Sequence, residues 1–191
     1  MSEETRPYHP WFTILAAFVI VSAAVAFYVW YARIPTPYAG QIISVNVYPI
    51  HRDLRVPTTT GGIGGQGDVY DEILLLVDVR VTNVAKIPLY LRDMWADANL
   101  PDGPSRSSAA STSDYDKVFI AYPDLQQYKK PPLLRDLTIP PGQTVEGMMI
   151  FNYQIDKAKW DSRTGTDIGL SFIHQKPLIL QLPNEQTANS H

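Results

Sequence analysis

The chain has 191 residues, of which 18% are charged, with a formal net charge of -3 at pH 7 and no cysteine. The near balance of acids and bases predicts no attraction to nucleic acid, and the lack of cysteine excludes disulfides, thiolate nucleophiles and copper–thiolate centres. The length suits one domain of ordinary size with a short appendage.

The first predicted element is an apolar segment at 11–32, which contains no charged residue and follows a short tail at 1–10. At a rise of about 1.5 Å per residue, a helix over this segment crosses a hydrocarbon core of about 30 Å. Aromatic residues cluster at both ends of the segment, as rings do at the headgroup level of a bilayer. The residues predicted to lie at the membrane interface are Tyr8, Trp11, Tyr28, Trp30 and Tyr31.

The alternative for this segment is a cleaved signal peptide, because Ala24-Val25-Ala26 has the small-residue pattern of a cleavage site. The apolar run continues past the roughly 7–15 residues of a signal-peptide core, so we predict an uncleaved transmembrane helix. Small residues such as Ala16 and Ala23 would let another membrane helix approach closely. The flanking charges hardly favour either orientation. We expect an inner-membrane protein with its C-terminal domain in the periplasm, since signal anchors commonly carry extracytoplasmic domains.

Beyond the apolar segment, residues 33–40 contain two prolines, which disfavour helix and predict a short stiff stalk. From 41 to 183, apolar and polar residues alternate as they do in strands. The predicted strands are 41–49, 70–83, 86–97, 117–122, 133–139, 144–153, 167–174 and 176–182. About seven or eight strands without an amphipathic helix predict an all-β antiparallel sandwich. Flexible loops are expected at 57–68 and 97–116, and a C-terminal tail at 184–191.

The alternation in two of these strands predicts which side chains are buried. In 41–49, Ile43, Val45 and Val47 are expected to point inward. In 70–83, one face is apolar throughout, whereas the other changes from apolar to polar along the strand. The inward residues of that strand are Ile73, Leu75, Val77, Val79 and Val81.

The segment 137–153 combines a turn with a strand. Pro140-Pro141-Gly142 has the composition of a turn, because proline fixes φ and glycine is permissive. In the strand that follows, Met149 shares the inward face, and Met148 lies on the opposite face, which we expect to be partly covered. Gly147 within a strand predicts a bulge or the close approach of another backbone.

Two motifs resemble those of a known group of domains. The strand VDVRVTN with the turn and strand that follow it, and the later PPGQTVEGMMIF, are similar to small bacterial immunoglobulin-like (Ig-like) domains. The resemblance covers roughly residues 70–182. It implies an Ig-like β-sandwich carried on a lipid anchor or one membrane helix, and it brings no active site with it. The strand at 41–49 and the insertion at 97–116 fit the resemblance less well.

The sequence offers few candidates for chemistry. The glycine-rich loop 61–67 is followed by neither a lysine nor a helix, as a phosphate-binding loop would be. Asp68, Asp71 and Glu72 bring three carboxylates together, but their spacing matches no calcium motif. We therefore expect no metal, no cofactor and no catalytic residue, since no nucleophile–base set is recognisable.

Four side chains are candidate contacts for a partner. Trp95 ends a strand on the same alternation as Leu89, so we expect it in the core. Trp160 lies between a lysine and an aspartate and is the better surface candidate. Lys129 and Lys130 belong to a turn rich in proline that would suit a docking edge.

These observations together predict a non-catalytic subunit anchored in the bilayer by one helix. We expect it to act as an accessory, assembly or stabilising subunit of a larger integral membrane complex, such as a respiratory or photosynthetic one. The alternative is a tethered module that binds a ligand or protein on its own. An enzyme is the third and least supported class, because the sequence carries no recognisable reactive set.

Overall fold

The computed structural model describes residues 10–31, 37–53 and 69–182, and the chain divides into two compact units, Met1–Thr36 and Pro37–His191. The described part of the first unit is one helix of 22 residues, α1 (Pro10–Tyr31). No helix among the described residues has the combination of length and apolarity that crossing a membrane requires. The transmembrane helix predicted at 11–32 is therefore not confirmed.

The second unit is built mostly of antiparallel strands, as the sequence predicts. Its strands are β1 (Tyr38–Asp53), β2 (Val69–Asn83), β3 (Leu89–Leu100), β4 (Gly103–Ser108), β5 (Thr138–Ile139), β6 (Thr144–Tyr153), β7 (Gly165–Phe172) and β8 (Leu178–Leu182). Its helical elements are α2 (Thr112–Ala121), a 3-10 helix (Pro123–Tyr128) and α3 (Lys157–Asp161).

The strands form two sheets. The first has the order β1-β2-β6, with both pairs antiparallel. The second has the order β4-β3-β7-β8, and β5 pairs with β3 off this path. Antiparallel all-β architecture is thus confirmed at the level of the sheets, while the narrower Ig-like assignment stays a prediction.

The main core contains the inward face of β2, as its alternation predicts. Residues from Ile73 to Val81 on that face are almost completely buried, and they belong to one cluster with Leu89, Met94 and Phe172. Burying these aliphatic side chains supplies the main driving force for folding, at about 25 cal/mol for each Å² of apolar surface. Met149 and Phe151 of β6 join the same cluster, so the predicted inward face of β6 is confirmed.

A second core covers the opposite face of the first sheet. Leu74, Leu76, Met148 and Ile150 pack there against side chains of α2 and the 3-10 helix. The helical residues that cover this face are Tyr115, Phe119 and Leu125. The expected cover over Met148 is therefore confirmed, but it is helical.

Helix α2 corrects two expectations, a flexible loop at 97–116 and a strand at 117–122. The helix starts because the Ser111 hydroxyl accepts a hydrogen bond from the Asp114 amide at 3.2 Å. Tyr115 and Phe119 are four residues apart, so both project from one helical face into the second core. Their burial, more than intrinsic propensity, stabilises so short a helix.

The rest of the segment 97–116 is also ordered. β3 continues to Leu100, and β4 pairs with it as a hairpin. Arg106 donates two hydrogen bonds of 2.7 Å to the carboxylate of Asp97, its partner across the hairpin. These bonds lower the pKa of Asp97. Polar residues on an exposed hairpin explain why this segment has the composition of a loop.

Other predicted boundaries change as well. β1 begins at Tyr38, inside the segment 33–40 that was expected to be a stalk. Only Thr138–Ile139 is a strand within the predicted 133–139. The expected loop at 57–68 and the tail at 184–191 lie outside the described residues.

Two register shifts account for the remaining errors in the predicted faces. In β1 the register shifts between Ile42 and Ser44, so Ile42 packs against the core and Ile43 does not. In β3 it shifts between Leu91 and Asp93, so that Met94 is buried and Trp95 lies on the outer face. One extra residue reverses every side chain that follows it.

Candidate functional site

A groove of about 840 Å³ lies between β1 and β8, and we call it the edge groove. Its lining is mostly aliphatic, with a few polar side chains. The residues that line it are Gly40, Gln41, Ile42, Ile43, Ser44, Val45, Val47, Arg163, Ile179, Leu180, Gln181 and Leu182.

The edge groove begins where the two strands come close together. A Cβ atom on Gly40 would lie 2.5 Å from Leu178 Cδ2, so the absence of a side chain at Gly40 allows β1 to meet β8 there. From that point the groove continues along Gln41–Val47 on one side and Ile179–Leu182 on the other. At about 3.4 Å per residue, this length matches an extended segment of five to eight residues.

Both walls of the edge groove are sheet edges. In the described part of the chain, β1 pairs only with β2, and β8 pairs only with β7. The outer edge of each strand therefore presents backbone N–H and C=O groups that no described strand satisfies. Such edges bind extended peptides by adding a strand to the sheet.

The groove also presents two aliphatic side chains to solvent. Ile43 is 38% exposed and Ile179 is 46% exposed. Ile43 faces the groove because the register shift in β1 removes it from the core side. The sequence could not identify Ile43 as a site residue, because a bulge leaves no mark on a simple alternation of apolar residues.

Arg163 is the cationic residue among the groove's lining side chains. Its guanidinium carbon lies 4.1 Å from the centre of the Trp160 ring. Its Nη1 donates to the Trp160 carbonyl at 3.0 Å, and its Nε donates to Thr166 Oγ1 at 3.2 Å. These contacts fix the position of the cation at the groove.

The chemistry of the edge groove is that of binding. Aliphatic walls exclude water, and the two strand edges offer directional hydrogen bonds at regular intervals. Among the described residues, no three His, Asp or Glu side chains gather as metal ligands would. The surface therefore has the features that the addition of a strand to a sheet uses.

The residues predicted at the membrane interface all fall in or before α1. Trp11, Tyr28 and Trp30 are exposed on the helix, and the rings of Phe27 and Trp30 lie 6.2 Å apart. Tyr8 and the side chain of Tyr31 lie outside the described residues. Ala16 and Ala23, predicted as contacts for another helix, are exposed as well.

The structure reverses the two tryptophan assignments. Trp160, predicted at the surface, is 1% exposed, because α3 turns it into the main core against the Tyr153 ring at 5.2 Å. Trp95, predicted in the core, is half-buried on the outer face of β3. It lies over Gly169, where an added Cβ would come within 2.2 Å of the indole ring.

Lys129 and Lys130, predicted at a docking edge, both form ion pairs. Lys129 Nζ lies 3.0 Å from Asp116, which is exposed. Lys130 Nζ lies 2.5 Å from Asp78, whose side chain is only 5% exposed. Lys130 therefore compensates a buried carboxylate and holds the segment after the 3-10 helix on the first sheet.

We expect Lys130→Ala to reduce the free energy of unfolding by about 1–2 kcal/mol, because it leaves Asp78 buried without its cation. The reduction is smaller than for a fully buried pair, since Lys130 itself is partly exposed. Lys129→Ala is the matched control and should cost less than about 1 kcal/mol. Urea unfolding of the two variants, followed by circular dichroism, measures the difference. Equal effects would contradict the role of Asp78.

The acidic residues beside the glycine-rich loop have local partners. Asp71 lies 2.6 Å from His51 Nδ1, and Glu72 accepts a hydrogen bond from Asn152. Asp68 and the loop 61–67 lie outside the described residues. The described carboxylates thus serve contacts between neighbouring strands.

No protein-family model matches the chain, and no curated protein matches it either. The chain is similar to a functionally unknown protein from Listeria monocytogenes EGD-e, with 9% identity, coverage of 78% of this chain and 79% of that one, and a TM-score of 0.42. It is also similar to the X-ray structure of Northeast Structural Genomics Consortium target SoR45. That match has 10% identity, coverage of 73% and 81%, and a TM-score of 0.31.

Proposed function

We propose that this protein is a non-catalytic, membrane-anchored accessory subunit that binds an extended segment of a partner in an integral membrane complex. The observation that supports it is the edge groove, in which the outer edges of β1 and β8, paired by no described strand, face one aliphatic cavity. The partner segment is an extended, mainly apolar strand that hydrogen-bonds to β1 or β8. Its side chains would replace water over Ile43 and Ile179.

The anchor in this proposal is α1. Its 22 residues carry no charge, and a helix of that length rises about 33 Å. Bulky apolar side chains such as Phe18, Ile20 and Phe27 are exposed on it, which is costly in water. The anchor is thus proposed from the composition of the segment, although no described helix qualifies as a membrane span.

From the sequence, we further propose that the domain lies in the periplasm, tethered to the inner membrane, and that its sheets form an Ig-like sandwich. Protease added to intact spheroplasts tests this orientation, because a fully protected domain would reverse it.

We expect the native protein, extracted in mild detergent, to migrate far above the size of its monomer. Ile43→Glu combined with Ile179→Glu should reduce the fraction of this protein that migrates with the complex at least about tenfold, because two charges enter the groove. Ile120→Glu is the matched control, since Ile120 is 76% exposed on α2, away from the groove. Native gels and photo-crosslinking from positions 43, 179 and 120 report the outcome.

Three results of that experiment would change the proposal. Migration at monomer size favours the alternative, a tethered module that acts alone. If the groove variant binds the complex to the same extent as Ile120→Glu, the groove is not the contact. A crosslink between two copies of this chain would show that the groove binds a second copy and not a different protein.

A further inference from the structure

Three turns of the second unit meet beside Pro37, and we call this surface the Pro37 end. It consists of the turns 84–88, 140–143 and 173–177, together with Tyr90 at the start of β3. The amides of Val84 and Ala85 donate to the Pro37 carbonyl at 3.0 and 3.1 Å. The Gly142 amide donates to Asn83 at 2.9 Å, and Tyr38 donates to the Lys176 carbonyl. The turns therefore form one surface at the end where β1 begins.

This surface exposes four large apolar side chains. Val84, Ile87, Tyr90 and Ile173 are between 43% and 58% exposed. The Ile173 amide donates to the Tyr90 carbonyl at 3.0 Å, so the turn 173–177 lies next to the start of β3. Single exposed apolar residues are ordinary, but three on adjoining turns with Tyr90 of β3 beside them mark a contact surface.

The turn 84–88, which carries Val84 and Ile87, is held in place before any contact forms. Asn83 is completely buried, and its Nδ2 donates to the carbonyls of Ile87 and Ile139, both at 2.8 Å. Its Oδ1 accepts from the Ala85 amide at 2.9 Å. A turn fixed in this way loses little conformational entropy on docking.

The charge of the Pro37 end favours an anionic surface. Lys86 and Lys176 are exposed, and the three turns contain no Asp or Glu. Neither lysine belongs to an ion pair among the described residues. Each lysine near an anionic bilayer contributes about 1 kcal/mol to the attraction.

The length of the connecting chain places a membrane within reach. Residues 32–36 separate the last residue of α1, Tyr31, from Pro37. Fully extended, that connection reaches about 20 Å at roughly 3.5 Å per residue. The Pro37 end is therefore the part of the second unit that begins directly after the proposed anchor in sequence.

We propose that the Pro37 end docks on the phospholipid bilayer. Val84 and Ile87 enter the headgroup region, with Tyr90 and Ile173 beside them, and Lys86 and Lys176 face anionic headgroups. This inference rests on the proposed membrane anchor. It adds that the domain itself is a lipid-binding module whose orientation on the membrane is set by this surface.

The absence of cysteine allows a direct test by site-specific labelling. Full-length variants carrying one cysteine, at Ile87, Ile120 or Ile20, are labelled with an environment-sensitive fluorophore. They are reconstituted into vesicles of phosphatidylcholine and phosphatidylglycerol, with and without nitroxide-labelled lipid. We expect the label at 87 to emit at shorter wavelength and to be quenched, and the label at 120 to remain unquenched, as in water.

The label at 20, in the middle of α1, separates the two proposals. Quenching at 20 without quenching at 87 overturns the docking inference and leaves the anchor intact. No quenching at either position overturns both. A shift of the emission at 87 to shorter wavelength without quenching by the nitroxide-labelled lipid shows that this surface is covered by protein, and the lipid inference fails.

A second variant guards against an effect of the label itself. With the fluorophore at position 173, Ile87→Glu should reduce the quenching, because the charge opposes insertion of the neighbouring turn. Vesicles of phosphatidylcholine alone should also reduce it, since the attraction of Lys86 and Lys176 is lost. Quenching at 173 that neither change affects would overturn the docking of this surface.

Discussion

Replacing Trp160 with alanine should lower the free energy of unfolding by about 3–5 kcal/mol, the usual cost of truncating a buried aromatic side chain. The indole is 1% exposed and contacts the ring of Tyr153 in the main core. It also supports the guanidinium of Arg163, which lies 4.1 Å from its ring. The variant therefore loses core packing and leaves a cavity in the main core. Urea unfolding in detergent, followed by far-ultraviolet circular dichroism, measures the change.

Trp95→Ala is the matched control for this prediction. Trp95 is half-buried on the outer face of β3, where it contacts Gly169 and Arg106, the latter at 5.0 Å. Its Nε1 also donates a hydrogen bond to Asp97 Oδ2 at 3.1 Å. We expect its loss to cost roughly 1 kcal/mol, as for a partly exposed residue. The amino-acid sequence predicts the opposite order for the two tryptophans. A larger effect at Trp95 than at Trp160 would contradict the structure.

The contrast between the two tryptophans shows where sequence periodicity stops being informative. Trp95 follows Leu89 and Leu91 on a perfect alternation, and one extra residue at the register shift before Asp93 reverses its side. Trp160 has charged neighbours in sequence, but a single helical turn carries it inward while they face solvent. Both outcomes depend on packing partners that are far away along the chain.

Long, doubly buried strands were the part that the sequence predicted well. β2 and β6 carry apolar residues on both faces, and each face is buried by a different partner. Helix α2 could not be recognised, because its apolar residues Val118, Phe119 and Ile120 also favour a strand. Its stability comes from contacts with the first sheet, which local sequence does not encode.

The edge groove was missed for a related reason. Its walls come from two strands that are about 130 residues apart in sequence, and neither contains an unusual motif. The only local signal is Gly40, whose lack of a side chain lets β1 approach Leu178. A glycine at the start of a strand is too common to identify a site.

The two proposed surfaces of the second unit fit one function. The edge groove begins at Gly40, three residues from Pro37 at the surface proposed to dock on lipid. A segment bound along β1 would therefore begin near the membrane and extend away from it. Such a site suits the segment of a membrane protein that directly follows or precedes its own transmembrane helix.

Gly147→Ala should cost about 2–4 kcal/mol, because another backbone occupies the space that a side chain would need. A Cβ atom at Gly147 would lie 2.7 Å from both the Cα and the nitrogen of Leu133. The segment would have to move, which weakens the hydrogen bonds from Leu133 N to Met148 O and from Met148 N to Pro131 O, both 2.9 Å. Overpacking costs about 1–3 kcal/mol and each lost hydrogen bond about 1 kcal/mol.

Gly165→Ala is the control, since its Cβ would come no closer than 3.9 Å to Asn99 Nδ2. We expect that substitution to change stability by less than about 0.5 kcal/mol. Faster amide exchange at Leu133 and Met148 in Gly147→Ala, but not in Gly165→Ala, would locate the damage at this contact. Unfolding of Gly147→Ala at the same urea concentration as the wild type would show that residues 131–133 do not pack against β6. The cover that Lys130 and Asp78 hold over the first sheet would then need another explanation.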